Sequence, residues 1–348
     1  MSETMQAAFF AGPRKLEVRE IPVPHAGLGE IVLDVRACGV CGSDLHQFEG
    51  RWEQPDYVPG HEVTGEVIEV GEGVCEWQVG DRVGIEPFGY CGRCCYCMAG
   101  RYYQCEQMGF LSLSGHGGFA ERMVTPAYAA YRLPENLDYP TGALVEPLAV
   151  AVHGSRLANI NFTDEVLVLG AGSIGLLTAS TANSFGAHKV AITARHNYQK
   201  QAAYSLGVDR VLSINVEELQ QQVKDNFTHG PSVVVETVGS AAGTYQLAVD
   251  LAGSLARVVF IGANTGTVQD FNFDPVMSKE LTLYGSGAYA QIGTRRDFDV
   301  AFDLLAQKPT IYSQLITHKF ELKDIQNAFE LASHKTESQA IKVMMIRE

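Results

Sequence analysis

Val166-Leu167-Val168-Leu169-Gly170-Ala171-Gly172-Ser173-Ile174-Gly175 reads as a strand that runs straight into a G-x-G-x-x-G turn, and the apolar stretch Leu176–Phe185 behind it reads as a helix. A bare match to the turn would mean little in a chain with 35 glycines. Its place between a strand and a helix gives it meaning, because that is the setting in which the turn cradles a dinucleotide. Gly170 makes the turn, Gly172 lets backbone approach a pyrophosphate, and Gly175 lets helix and strand pack. The first helical N–H groups, at Ser173 and Ile174, face the anion.

Outward from this unit, the rhythm of the chain divides in two. After about His153, apolar runs at Val166–Leu169, Val190–Ala194, Val233–Glu236, Val258–Ile261 and Leu281–Gly285 are spaced by stretches long enough for helices. Repeated β-α units predict a doubly wound parallel sheet. Up to about Thr125 the pattern is different: short β-prone runs, Ile31–Ala37, Val63–Val70, Arg82–Ile85 and Phe119–Thr125, are broken by glycine and proline. That half reads as a barrel-like β domain. Beyond Tyr289 come a helical stretch at Arg295–Ala306, a strand-like Leu315–Phe320, a helix at Leu322–Ser333 and an apolar run at Ile341–Ile346. The expected organisation is an α/β chain whose β-rich domain, 1–153, is completed by a returning tail, 289–348, with the dinucleotide domain, 154–288, inserted between.

The end of the second strand of the dinucleotide unit carries information by what it lacks. A carboxylate about twenty residues after the glycine turn is expected where NAD binds, since it accepts hydrogen bonds from the ribose hydroxyls. Here Val190-Ala191-Ile192-Thr193 is followed by Ala194, Arg195 and, after about one helical turn, Lys200. A carboxylate would repel a 2′-phosphate, whereas alanine beside a guanidinium accepts one. The expectation is therefore NADP(H) rather than NAD(H), the alternative being that Arg195 is a solvated surface charge.

Composition excludes several classes. With 40 acidic against 26 basic residues the net charge is −14, which opposes binding to nucleic acid or to an anionic membrane. The first residues lack the pattern of a secretory leader, and no later stretch has the length and apolarity of a membrane span, so the chain is expected to be cytoplasmic. Five of the 8 cysteines crowd between Cys91 and Cys105, a spacing that favours metal over disulfides. Cys91-x2-Cys94-x2-Cys97-x7-Cys105 offers four thiolates for a closed, tetrahedral zinc site, and Cys95 breaks the two-residue spacing and is read as spare.

A second donor set is scattered: Cys41 in Cys41-Gly42-Ser43-Asp44-Leu45-His46, the adjacent His61 and Glu62, and Glu146 in Val145-Glu146-Pro147. Thiolate, imidazole and carboxylate together hold zinc while leaving a position open for chemistry. The succession of Cys41-Gly42-Ser43-Asp44, Gly60-His61-Glu62-x2-Gly65-x5-Gly71-x2-Val74, the four-cysteine loop, Glu146-Pro147 and the glycine turn resembles the zinc-containing medium-chain dehydrogenase/reductase family, over essentially the whole chain. The Val145-Glu146-Pro147 form resembles its polyol (sorbitol) and threonine dehydrogenase branch. The resemblance implies a GroES-like catalytic barrel, a Rossmann domain, a homodimer or homotetramer, and an alcohol dehydrogenase with one catalytic and one structural zinc. It makes Cys41, His61 and Glu62 ligands, and Glu146 a fourth ligand or the holder of a water. Neighbours on a regular strand point apart, so the choice between Glu62 and Glu146 stays open.

Zinc lowers the pKa of an alcohol and favours hydride departure to nicotinamide, or polarises a carbonyl in reverse. Ser43 is placed to pass the alcohol proton outward; His46 is either the next station or an exposed loop histidine. The substrate side departs from the polyol branch. Gly285-Ser286-Gly287-Ala288-Tyr289-Ala290 has small residues where that branch carries arginine, which argues for a secondary alcohol or carbonyl while putting a polyhydroxylated one in doubt. An NAD-dependent polyol or threonine-type dehydrogenase is the alternative enzyme. A nucleotide-binding relative without catalysis would require a damaged ligand set. Phe110 and Leu111 either line an apolar wall or pack the loop.

Overall fold

The structure is a computed structural model that describes residues 3–54, 56–111, 117–239, 243–263, 267–268 and 270–348. Two compact units account for the chain: Met1–Glu146 with Gly293–Glu348, and Pro147–Ile292. The helix Val145–Leu157 carries the chain from the first into the second. That is why the change of rhythm near His153 lies inside a helix and not at the junction.

In the second unit, parallel strands follow the spatial order 210–212, 189–193, 165–169, 233–236, 257–260, 282–285. Numbered along the chain this is 3-2-1-4-5-6, the doubly wound order in which ligands bind beyond the carboxyl ends of the central strands. The central strands are buried on both faces: Val166, Leu167 and Val168, and Val233, Val234 and Val235, have no exposed surface. Runs of this kind lack alternation because helices cover both sides of a parallel sheet. The helix Ser173–Ser184 packs on the strand Lys189–Thr193 with Leu176, Leu177, Ala179 and Ala182 inward.

The first unit is built on a seven-stranded, mostly antiparallel sheet. Its centre is the strand Glu30–Gly39, paired with Glu62–Val70 on one side, and with Arg122–Pro126 and Lys342–Ile346 on the other. The C-terminal apolar run does return, as an antiparallel partner of Ala37–Gly39. Ile31, Leu33, Val35, Val63, Val67, Phe119 and Met345 fill the core with the aromatic face of the helix Ile325–Ser333, where Phe329 meets the rings of Phe10, Phe48 and Phe119. An N-terminal hairpin, Thr4–Gly12 with Lys15–Pro22, precedes this sheet. Among the described residues no helix is long and apolar enough to cross a membrane.

Candidate active site

The four-cysteine loop is the tightest donor cluster among the described residues. The sulfurs of Cys91, Cys94, Cys97 and Cys105 lie within 4.8 Å of one another. Backbone amides are aimed at them: Cys91 N–H donates to Cys105 Sγ at 3.4 Å, Cys94 N–H to Cys91 Sγ at 3.4 Å, Cys97 N–H to Cys94 Sγ at 3.5 Å and Gln107 N–H to Cys105 Sγ at 3.3 Å. Amide donors stabilise thiolates, the form that binds metal. The N–H groups of Arg93 and Cys94 pull the Cys91 thiol down to about 6, whereas burial and the neighbouring sulfurs push Cys97 up to about 12. Four thiols this close cannot all ionise without a cation between them, so the donor set fits zinc. Cys95 is exposed and outside the cluster.

The second donor set begins at a helix start. Cys41 is the N-cap of Gly42–Phe48, and buried Asp44 reaches back, its Oδ2 accepting from Cys41 N–H at 2.9 Å. Asp44 Oδ1 lies 3.7 Å from His61 Nδ1. Although burial pushes the His61 pKa down, the charges of Asp44, Cys41 and Glu146, with a hydrogen bond to Cys41, hold it well above the ordinary value. A buried imidazole ringed by anionic groups marks a place where a cation is stabilised, and the sulfur, nitrogen and carboxylate donors suit zinc. Cys41, His61 and Glu146 are drawn together less tightly than the four cysteines, which form the only such cluster within an ion's reach among the described residues.

Glu62 has a partner of its own on the returning C-terminal strand. Lys342 Nζ lies 2.6 Å from Oε1 and 2.7 Å from Oε2 of Glu62, both residues being almost wholly buried. Lys342 is held above its ordinary pKa by Glu62, with help from Cys41, against the opposing effect of burial. The reason is the alternation anticipated from strand geometry. Glu62 is the first residue of the strand Glu62–Val70, whereas His61 precedes it, after Gly60 at φ +97°, and faces Cys41. Sequence reasoning passed over Lys342, yet a lone lysine in Ile341-Lys342-Val343-Met344-Met345-Ile346 was a signal of a buried acid opposite.

Ser43 and His46 lie on the helix that Cys41 caps, both partly buried. The His46 ring packs at a 45° tilt, 4.9 Å from that of Trp52, and its buried Nδ1 has no partner among the described residues. Burial, with the charge of Arg51, lowers its pKa, so the ring is neutral at pH 7. Phe110 packs at 5.4 Å from the His61 ring and 4.8 Å from Phe88, forming an apolar wall beside that histidine, while Leu111 is buried in the loop.

The glycine turn has the required geometry. Gly170 adopts φ +99°, with its N–H donating to Thr193 Oγ1 at 2.8 Å. A Cβ on Gly175 would stand 1.9 Å from Gly170 O. Gly172 is the N-cap of the helix and supplies no side-chain cap, and a Cβ there would meet nothing within 4 Å, so the helix start is not crowded at that position. This cradle fits a pyrophosphate. At the end of the second strand Ala194 is buried, while Arg195 and Lys200 are exposed and make no ion pair among the described residues. Gln199 Oε1 holds the loop by accepting from the N–H groups of Arg195 at 3.2 Å and His196 at 3.1 Å.

Comparison with known proteins agrees with both halves. Residues 27–135 match the alcohol dehydrogenase GroES-like domain, and residues 173–307 the zinc-binding dehydrogenase family. A sorbitol dehydrogenase of Halalkalibacterium halodurans is 32% identical over 342 residues, 96% of each chain. An Escherichia coli alcohol dehydrogenase complexed with NADH has a TM-score of 0.88 at 27% identity, over 99% of this chain and 100% of that one. A Sinorhizobium meliloti zinc-binding dehydrogenase bound to NADP also gives 0.88, at 28% identity, over 99% and 100%. The chain thus belongs to the zinc-containing medium-chain dehydrogenase/reductase family and is a zinc- and nicotinamide-dependent dehydrogenase acting on CH–OH groups. Within that family it falls in the polyol dehydrogenase branch.

Proposed function

We propose that this dehydrogenase moves a hydride between NADP(H) and a secondary alcohol or the matching carbonyl, working as a homo-oligomer in the cytoplasm. The cofactor reading is carried by one observation: buried Ala194 stands where a ribose-binding carboxylate would be, with Arg195 and Lys200 exposed beside it and without an ion pair among the described residues. In a chain of net charge −14 two such cations form a local exception suited to a 2′-phosphate. The test is the ratio of kcat/KM for NADP and NAD. NADP should lead by at least about tenfold, and Arg195→Ala should remove most of the difference, since each charge-assisted phosphate contact is worth about 1.5–3 kcal/mol. A preference for NAD in the unaltered enzyme would overturn the reading.

Cys41, His61 and Glu146 would hold the catalytic zinc, and Cys91, Cys94, Cys97 and Cys105 the structural one. When bound, the zinc supplies a Lewis acid that lowers the pKa of an alcohol hydroxyl, and the nicotinamide supplies the hydride acceptor. Asp44 orients both Cys41 and His61 through the contacts described above. Ser43 Oγ would take the alcohol proton as it releases its own hydroxyl proton outward, and neutral His46, whose Nδ1 has no partner among the described residues, is the base on the same helix that would receive it through an intervening donor and acceptor. Phe110 shields the face of His61 from water. The small residues of Gly285–Ala290 favour an alcohol with few hydroxyls. A panel of alcohols and carbonyls read by cofactor absorbance identifies it, and equal activity on long polyols would contradict this substrate reading.

A further inference from the structure

Glu236 closes the strand Val233–Glu236, beside the strand that feeds the glycine turn, and is fully buried. Neither catalysis nor metal binding uses it. Its Oε1 accepts from Val238 N–H at 2.8 Å, Gly239 N–H at 2.9 Å and Thr244 Oγ1 at 2.6 Å. Its Oε2 is equally buried and has no partner among the described residues, standing 2.6 Å from where a Cβ on Gly262 would lie. A buried carboxylate is costly, and one with an unpartnered oxygen more so. Such a group persists where what it holds matters.

The segment it holds lies on the dinucleotide turn. Thr237 Oγ1 donates to Leu169 O at 2.8 Å and would stand 2.8 Å from a Cβ on Gly175. Val238 Cγ2 would be 2.5 Å from a Cβ on Gly170. Thr237 and Val238 therefore roof the two glycines, and the three bonds to Glu236 Oε1 fix that roof from behind. We propose that Glu236 is a positioning residue for cofactor affinity: it preorganises Thr237–Gly239 over the glycine turn, so that binding need not order this segment. Loss of the acceptor frees the roof and transfers the ordering cost to the cofactor.

The test is fluorescence titration of the zinc-loaded enzyme with NADPH and with NADH, alongside zinc content and steady-state kinetics, for Glu236→Val, Glu236→Gln and Thr244→Val. Glu236→Val should raise both dissociation constants by at least about tenfold while kcat at saturating cofactor changes less than about twofold, because lost preorganisation acts on binding. Glu236→Gln keeps an acceptor in the same place and should stay within about threefold of the parent; Thr244→Val, which removes one of the three bonds, should fall between. Should Glu236→Val fail to fold, Thr244→Val decides: an unchanged dissociation constant in that variant overturns the proposal. So does an unchanged constant in folded Glu236→Val, or a Glu236→Gln as impaired as Glu236→Val. The two cofactors keep this separate from the Arg195 reading, since tighter NADH binding by the parent would overturn the latter alone.

Discussion

Lys342 and Glu62 depend on each other. Each is buried to within a few per cent of completeness, and either charge alone would be stranded in a low-dielectric interior. Lys342→Met should therefore cost about 3–5 kcal/mol of stability, the usual penalty for breaking one side of a buried pair, as a lower denaturation midpoint in urea. Adding Glu62→Gln should recover part of the loss; a Lys342→Met protein as stable as the parent would contradict the pairing. His46 makes a prediction about pH. Its pKa is depressed below 6.5 by burial and Arg51, so the proton-accepting form prevails at neutral pH. Alcohol oxidation should rise as pH increases through that depressed pKa and level off above it, and His46→Ala should flatten this acidic limb. An unchanged pH–rate profile in His46→Ala would make the residue a bystander. These two residues also show where reading the sequence runs out. The residue types at Cys41, His61, Glu62 and Glu146 were legible because such donors rarely recur in this order, but the approach of Lys342 to Glu62 was not, since it depends on the pairing of strands far apart in sequence.

Two of the elements that carry the sites are local in sequence. The four-cysteine loop is local: its donors fall within fifteen residues, and regular gaps let spacing alone indicate convergence. Cys97→Ser should lose one zinc of two and lower the thermal midpoint, because a closed structural site contributes its binding energy to folding. The glycine turn is equally local, and its tolerance is set by sterics. Gly175→Ala would place a methyl 1.9 Å from Gly170 O, forcing the helix start away from the strand. Cofactor affinity should drop by at least about tenfold while the protein stays folded, as cofactor fluorescence titration would report. An alanine variant that binds cofactor like the parent would contradict the close approach. The hairpin Thr4–Gly12 with Lys15–Pro22 and the three-residue strands Arg210–Leu212 and Ala130–Arg132 were not anticipated. Arg14 turns the hairpin at φ +58°, a conformation few non-glycine residues mark in sequence, and three-residue strands are too short for periodicity to register.

At the scale of the whole molecule, the division of labour follows from the two cores. A sheet covered on both faces makes uninterrupted valine and leucine runs, and these made the Rossmann unit the most readable part of the chain. The first unit is harder to read because its central strand, Glu30–Gly39, pairs with segments from three distant places, 62–70, 122–126 and 342–346. Only their coming together explains how Lys342 reaches Glu62 across 280 residues of sequence. The proposed function needs two donor sets in that unit, the four sulfurs and the mixed donors around His61, and assigns a zinc with its own duty to each. Zinc content per chain, measured on the parent and on Cys41→Ser with activity assayed in the same samples, tests this most directly. Two zincs in the parent, one in Cys41→Ser, and loss of alcohol oxidation in that variant are the predicted result; a parent with a single zinc, or a Cys41→Ser protein that keeps two and remains active, would contradict it.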